Sequence, residues 1–358
     1  MKLLFLGDAG SIHIKKWVDF FVNEGIDVYV ATFASENKTQ CANVFYLDKR
    51  DISTSGNNYH YLLSVQKLSN IIRDNNITHI NAHYAYSMGV IAAIAIILSG
   101  KNINFSVVCH GSDILLPPHF FSKYINKFVL NKAHTIFAVS KQIAQKVVEL
   151  GINKEKIFVG QYGVDEQCFI KEVIKDIDII SYRAYVSNSQ WGQILKAVDC
   201  EEFRNKKIIF VMPGIDETNL AVLEKKFPEI SFYRWLPRVK LLSLVQRSKL
   251  YISATQSDGS SLSLLEAMAL RCYPIVSNIS ANKEWITDGE NGTLFINEEE
   301  LRNALVKILQ EDNHCIALIT DRNQKEIKRL ASYNIQMRKI KAILLGEGQD
   351  ETNNYRWS

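Results

Sequence analysis

The sequence predicts an α/β fold of two doubly wound halves, and three observations carry that prediction. Short β-rich apolar runs alternate with helical stretches from Lys2 to Gly163. A second alternation of the same kind starts near Asp176, after a polar, weakly patterned stretch over about Glu166 to Asp176. Between Leu250 and Asn278 the order strand, loop, helix, strand is spelled out by LYISAT, the segment Asp258–Leu270 and YPIVSN. Parallel strands joined through a helix are βαβ crossovers, and repeated alternation of this kind builds a parallel sheet covered by helices. Two Rossmann-like domains, 1–168 and 169–333, are expected to face one cleft, with ligands at the carboxyl ends of the strands.

Composition narrows the class. The 358 residues are 47% hydrophobic and 22% charged, enough for two buried cores. A net charge of +4 without a basic, aromatic-interleaved run gives no reason to expect a nucleic-acid partner. The six cysteines are scattered without metal-like pairs, several inside apolar runs, which suits a reducing cytoplasm. MKLLFLGDAG reads as a first strand, because Asp8 ends the apolar run too soon for a signal peptide. VIAAIAIILSG is too short to span a bilayer and reads as a buried helix. No metal and no other cofactor is expected.

In the first half the expected strands are KLLFLGD, DVYVATF, NVFYLD, THINAHY, FSVVCHG, TIFAVS and KIFVGQYG. The first ends in Gly7–Trp17, where glycines, a serine cap and an incoming helix can hold a phosphate or hydroxyl, though without the spacing of a dinucleotide fingerprint. Gly10, His13 and Lys16 are the candidates there. The fifth ends in His110-Gly111-Ser112-Asp113, followed by Pro117-Pro118; a histidine at a strand tip can donate to an anion, and Gly111 lets the backbone come close. The next helix is capped by Ser140 and stopped at Gly151.

In the second half the expected strands are DIDIISYR, KIIFVMPG, ISFYRWL, LYISAT, YPIVSN and TLFIN. Arg183 closes the first, where a guanidinium can fork onto a diphosphate; a surface ion pair is the alternative. Trp235 and Leu236 close the third, and Trp235 can equally be core. After the fourth, Ser260, Ser261 and Leu262 bring unpaired helix N–H groups to the strand end, a phosphate site. Asp258 in the loop and Glu266 in the second helical turn flank it, as carboxylates that accept from hydroxyls. A diphosphate between two sugars fits. The alternative is local: Ser263-x-x-Glu266 has capping-box spacing. Asp288–Thr293 is turn chemistry, residues from about Glu298 to Gly346 are helical, and the tail GQDETNNYRWS is expected to be mobile.

The segment SDGSSLSLLEAMA resembles the E-x7-E signature of the family 4 retaining glycosyltransferases, which have the GT-B architecture of two facing Rossmann-like domains. HGSD, the first loop, Arg183 and the closing Gly163-Val164-Asp165 occur in the family's order, so the resemblance covers nearly the whole chain. Two departures are plain. The first acid is Asp258, about 1.5 Å shorter in reach than glutamate. No lysine follows Arg183 before the next helix, which leaves Arg238 as a substitute cation.

The resemblance implies that Glu266 holds the ribose, Asp258 the donor sugar and Arg183 the diphosphate. It places His110 beside the reacting sugar, the Trp235–Leu236 backbone by the nucleobase, and a helix at 334–358 back on the first domain. The implied activity is a metal-independent, retaining transfer of a hexose from a UDP-linked nucleotide sugar to a growing bacterial glycan such as lipopolysaccharide, O-antigen or capsule. Peripheral contact with the inner leaflet is compatible with Lys123, Lys127 and Lys132 at helical spacing, although a solvated helix face explains them equally. A non-catalytic nucleotide-sugar-binding partner and a sugar-nucleotide epimerase are the alternative readings.

Overall fold

The computed structural model describes residues 1–34, 36–48, 59–115, 121–160, 162–169 and 173–346. Pro117, Pro118 and the tail from Glu347 onward lie outside the described residues. Contacts divide the chain into two units, Met1–Tyr162 with Gln336–Ser358, and Gly163–Ile335.

The first unit is built on seven parallel strands: β1 (Lys2–Leu6), β2 (Asp27–Thr32), β3 (Asn43–Tyr46), β4 (His79–His83), β5 (Asn104–Cys109), β6 (Thr135–Ala138) and β7 (Ile157–Val159). Their order in the sheet is β3-β2-β1-β4-β5-β6-β7. The chain grows outward from β1, returns and grows the other way from β4, so β1 and β4 flank the switch point where two crossovers diverge and leave a crevice. Leu3 to Leu6 are wholly buried, as expected of a central strand covered on both faces.

The second unit repeats the plan with six parallel strands: β8 (Ile177–Tyr182), β9 (Ile208–Val211), β10 (Ile230–Tyr233), β11 (Ser248–Ser253), β12 (Tyr273–Ser277) and β13 (Thr293–Phe295), in the order β10-β9-β8-β11-β12-β13. The two-residue period of a strand sorts its side chains cleanly. Ile179, Phe210, Ile252 and Ile275 pack on one face, and Ile180, Val211, Tyr251 and Val276 on the other. Each such fully buried aliphatic side chain contributes about 1.5–3 kcal/mol. The switch point lies between β8 and β11, the strands that end in Arg183 and in the Asp258 loop.

Caps form where the sequence places them. Ser11 accepts from the Ile14 N–H and Ser140 from the Ile143 N–H, each satisfying an orphan helix donor. Gly163 has φ +78°, and a Cβ there would stand 2.5 Å from the Tyr333 Cα, so only glycine fits this turn. The Val90–Ser99 helix departs from the fully buried reading: Ile97 and Leu98 are exposed at its far end. The helix buries Ile91, Ala92 and Ala95, while these two side chains near its end face solvent. No helix of the described residues is long and apolar enough to cross a membrane.

Candidate functional site

In the second unit, Arg183 and the Asp258–Glu266 segment meet at the β8/β11 switch point. Arg183 follows β8, and its guanidinium donates to Asp258 Oδ2 at 2.8 Å and to Ser263 Oγ at 2.9 Å. The same Ser263 oxygen accepts from Tyr251 Oη at 2.9 Å, and the Ser263 carbonyl accepts from Tyr182 Oη at 2.7 Å. Burial works against the Arg183 charge, but Tyr251 and Asp258 outweigh it and hold the guanidinium protonated. This is a partly buried cation with a fixed direction, not a surface ion pair.

The Leu262–Ala269 helix starts here with Ser261 at its N-cap, and Ser261 makes no side-chain capping bond. The capping-box alternative for Ser263 and Glu266 is therefore overturned. Ser263 lies inside the helix and binds Arg183, while Glu266 is 2% exposed and faces Arg238. Arg238 Nη1 reaches Glu266 Oε2 at 3.0 Å, its Nη2 contacts Oε1, and Nη2 also approaches Asp165 at 3.4 Å. A fork-on-carboxylate pair of this kind raises the guanidinium pKa against the opposing effect of burial. Ser260 and Ser261 are buried at the helix mouth and Leu262 is partly buried beside them.

The loop after Arg183 has no lysine and is bonded to the Asp258 loop. Asn188 accepts from the Ser257 N–H at 3.1 Å and donates to the Ser257 carbonyl at 2.9 Å, clamping the Asp258 loop from the far side. Trp235 is 69% exposed, which removes the core reading, whereas Leu236 is buried. Trp235 walls a surface pocket of about 550 Å³ with Pro213, Gly214, Tyr233 and Arg234. An Asp-x-Asp, Asp176-Ile177-Asp178, sits at the start of β8, away from the strand ends that carry the site. Its carboxylates pair with Arg247, Lys207 and Lys249. Among the described residues no group of three His, Cys, Asp or Glu could hold a metal ion.

In the first unit, His110 follows β5 at the carboxyl end of the strand. Both ring nitrogens are engaged inside the unit: Nε2 lies 2.9 Å from His83 Nδ1 and Nδ1 lies 2.6 Å from Tyr162 Oη. Burial, then His83 and His13, push the His110 pKa well below its usual value, and burial takes His83 to about 3. Both imidazoles are thus neutral near pH 7, and neither offers a cation to a donor phosphate.

Asp113 of HGSD braces this loop, accepting from the N–H groups of Ala85 at 2.8 Å, His110 at 3.1 Å and Gly111 at 2.9 Å. Gly111 has φ +126°, a region closed to other residues. Of the first-loop candidates, the Gly10 N–H is held by Asp8 Oδ1 at 2.8 Å, His13 packs against Tyr162 with ring centres 4.2 Å apart and the rings tilted by 33°, and Lys16 is 9% exposed. His83, Tyr84 and Tyr162 were missed by sequence reasoning. His83 could have been found, because it stands at the tip of THINAHY just as His110 stands at the tip of FSVVCHG.

Comparison with known proteins agrees with this fold. Residues 2–140 match the family model described as glycosyl transferase 4-like, and residues 166–326 match glycosyl transferases group 1. The chain is similar to an uncharacterized glycosyltransferase of Methanocaldococcus jannaschii, 24% identical over 347 residues, covering 82% of this chain and 86% of that protein. In fold it is similar to Anabaena HepE, solved in complex with UDP, at 16% identity and a TM-score of 0.76, over 97% of this chain and all of that one. HepE has also been solved in complex with UDP-glucose. A further fold relative is the lipopolysaccharide outer core galactosyltransferase WaaB, at 16% identity and a TM-score of 0.63, over 92% and 99% of the two chains. With a 4-like amino-terminal half and a group 1 carboxy-terminal half, the chain belongs to the family 4 glycosyltransferases of GT-B fold.

Proposed function

We propose that this glycosyltransferase moves a hexose from a UDP-linked donor, with retention and without a metal, to a hydroxyl of a growing bacterial glycan such as lipopolysaccharide, O-antigen or capsule. The observation that carries the reading is the charged cluster at the β8/β11 switch point. Two arginines face two carboxylates beside an uncapped helix N-terminus. A nucleotide sugar has the complementary parts, a diphosphate for the arginines and hydroxyls for the carboxylates.

On donor binding Arg183 turns from Asp258 to the diphosphate, and the helix mouth at Ser260 and Ser261 stabilises the charge that grows there as the bond from C1 to the phosphate oxygen breaks. Glu266 accepts from the ribose hydroxyls and Asp258 from the hexose. Arg238, released from Glu266, supplies the second cation. The nucleobase lies by the Trp235–Leu236 loop. The acceptor hydroxyl forms the new bond to C1 and its proton passes to the leaving phosphate, so no protein base is required. His110, bonded at both ring nitrogens, positions its loop, and the Gly10–Lys16 segment lies on the acceptor side. UDP-glucose in HepE and the lipopolysaccharide role of WaaB support the donor and acceptor classes. The test is nucleotide release from a panel of nucleotide hexoses, with and without EDTA. Release selective for one UDP-hexose and indifferent to EDTA is expected; no release from any donor, or release only from a nucleotide other than UDP, overturns the reading.

We also propose a cytoplasmic enzyme in peripheral contact with an anionic leaflet. Phe121, Tyr124 and Phe128 are exposed on one side of the Ser122–Lys132 segment, and the exposed Lys123, Lys127 and Lys132 flank them. That segment contains no acidic residue. Aromatic rings bordered by lysines suit an interfacial helix lying on anionic headgroups. Co-sedimentation with vesicles containing phosphatidylglycerol, but not with pure phosphatidylcholine, is expected; equal behaviour with both contradicts the contact.

A further inference from the structure

The first unit contains a second cluster whose chemistry is opposite to that of the Arg183 site. It gathers at the carboxyl ends of β1, β4 and β5, and its members are aromatic side chains: His13, His83, Tyr84, His110 and Tyr162. Tyr84 stands out. It has φ +77°, a left-handed backbone conformation that a bulky residue adopts only under strain. It also opens a six-residue π-helix, Tyr84–Gly89, a rare form found mostly at functional sites.

The surroundings enforce this geometry. The buried Asp113 carboxylate takes the N–H of Ala85, the next residue, and with its other oxygen the N–H groups of His110 and Gly111. The start of the π-helix is thereby tied to the loop that carries His110. The result is that one face of the Tyr84 ring lies on the His110 imidazole, ring centres 4.2 Å apart at 27°. Beneath it His110 is fixed from both sides by His83 and Tyr162. Tyr84 itself is only partly buried.

We propose that Tyr84 is a sugar-stacking, specificity-determining residue, its ring held by the Asp113 brace and the His83–His110–Tyr162 chain as a rigid, uncharged platform for the apolar face of a neutral pyranose. The electron-rich face of an aromatic ring attracts the weakly positive C–H edge of a pyranose, and a rigid ring loses little entropy on binding. Burial raises the Tyr84 phenol above its usual pKa, and both imidazoles beneath are neutral, so the platform carries no charge near pH 7. A ring of hydroxyls finds stacking and hydrogen-bond partners in this layer.

The inference rests on the proposed function, and the experiment separates the two. The probes are methyl α-D-glucopyranoside, methyl α-D-galactopyranoside and methyl α-D-mannopyranoside, followed by saturation-transfer NMR on the full-length protein with UDP present. Two variants are compared with wild type: Tyr84→Asn, because asparagine tolerates the left-handed backbone, and Tyr84→Phe, which keeps the ring and removes the hydroxyl. UDP affinity, read by calorimetry, is the control for an intact second unit. At least one hexoside is expected to receive saturation in wild type, to bind about tenfold more weakly to Tyr84→Asn, and to bind normally to Tyr84→Phe. Equal binding by Tyr84→Asn, equal loss in both variants, or no hexoside signal in wild type overturns the stacking role. Failure of wild type to bind UDP sinks the proposed function instead, whatever the hexosides do.

Discussion

Replacing Arg183 by alanine is expected to lower kcat/KM for hexose transfer or donor hydrolysis by about 10²- to 10³-fold, the range for losing one preorganised donor to a developing anion. The size follows from position. Arg183 is the cation fixed by Ser263, which is itself held by Tyr251, so its direction is set before the ligand arrives. Its other partner, Asp258, is left without a counter-charge in the variant. Lysine at 183 is expected to recover only part of the loss, because an ammonium cannot fork onto a diphosphate. Steady-state kinetics on the three proteins check this, and a change within about threefold for Arg183→Ala would contradict a diphosphate role.

Glu266→Gln is expected to weaken UDP binding by roughly 10- to 100-fold, the effect of losing the charge from a buried acceptor. Glu266 is almost wholly enclosed and its carboxylate is shared by both arms of Arg238. The amide keeps the shape of the side chain but can accept only through one oxygen and no longer balances Arg238. Calorimetric titration of UDP measures the loss. Unchanged affinity together with a lowered melting temperature would mean that the Glu266–Arg238 pair only holds the helix in place.

Much of the architecture was legible because strands buried on both faces write themselves as short apolar runs. Each of the thirteen stretches read as strands overlaps one of β1 to β13, with β5 and β11 starting one and two residues earlier than read, and the caps at Ser11 and Ser140 sit where their spacing put them. Locating the switch points required only the strand order expected of such sheets, and that placed Arg183 and Asp258 at one end of neighbouring strands.

Side-chain partners were less legible, since they join positions far apart in the chain. Arg183 and Ser263 are 80 residues apart, Arg238 and Glu266 are 28 apart, and His110 and Tyr162 are 52 apart. Local spacing can mislead at such positions, as the capping-box pattern of Ser263 and Glu266 did. Trp235 shows the converse, a large apolar residue at a strand end that tertiary packing leaves in solvent. The strained backbone at Tyr84 has no sequence signature at all, because tyrosine is not a residue that local preference sends to positive φ.

Binding of a nucleoside diphosphate to the second unit through Arg183, Arg238 and the helix mouth is tested by titrating UDP and uridine separately into the wild-type protein in a calorimeter. UDP is expected to bind at least about 100-fold more tightly than uridine, since charge-assisted contacts to the diphosphate supply most of the difference. Equal affinities, or no heat with either ligand, would contradict it.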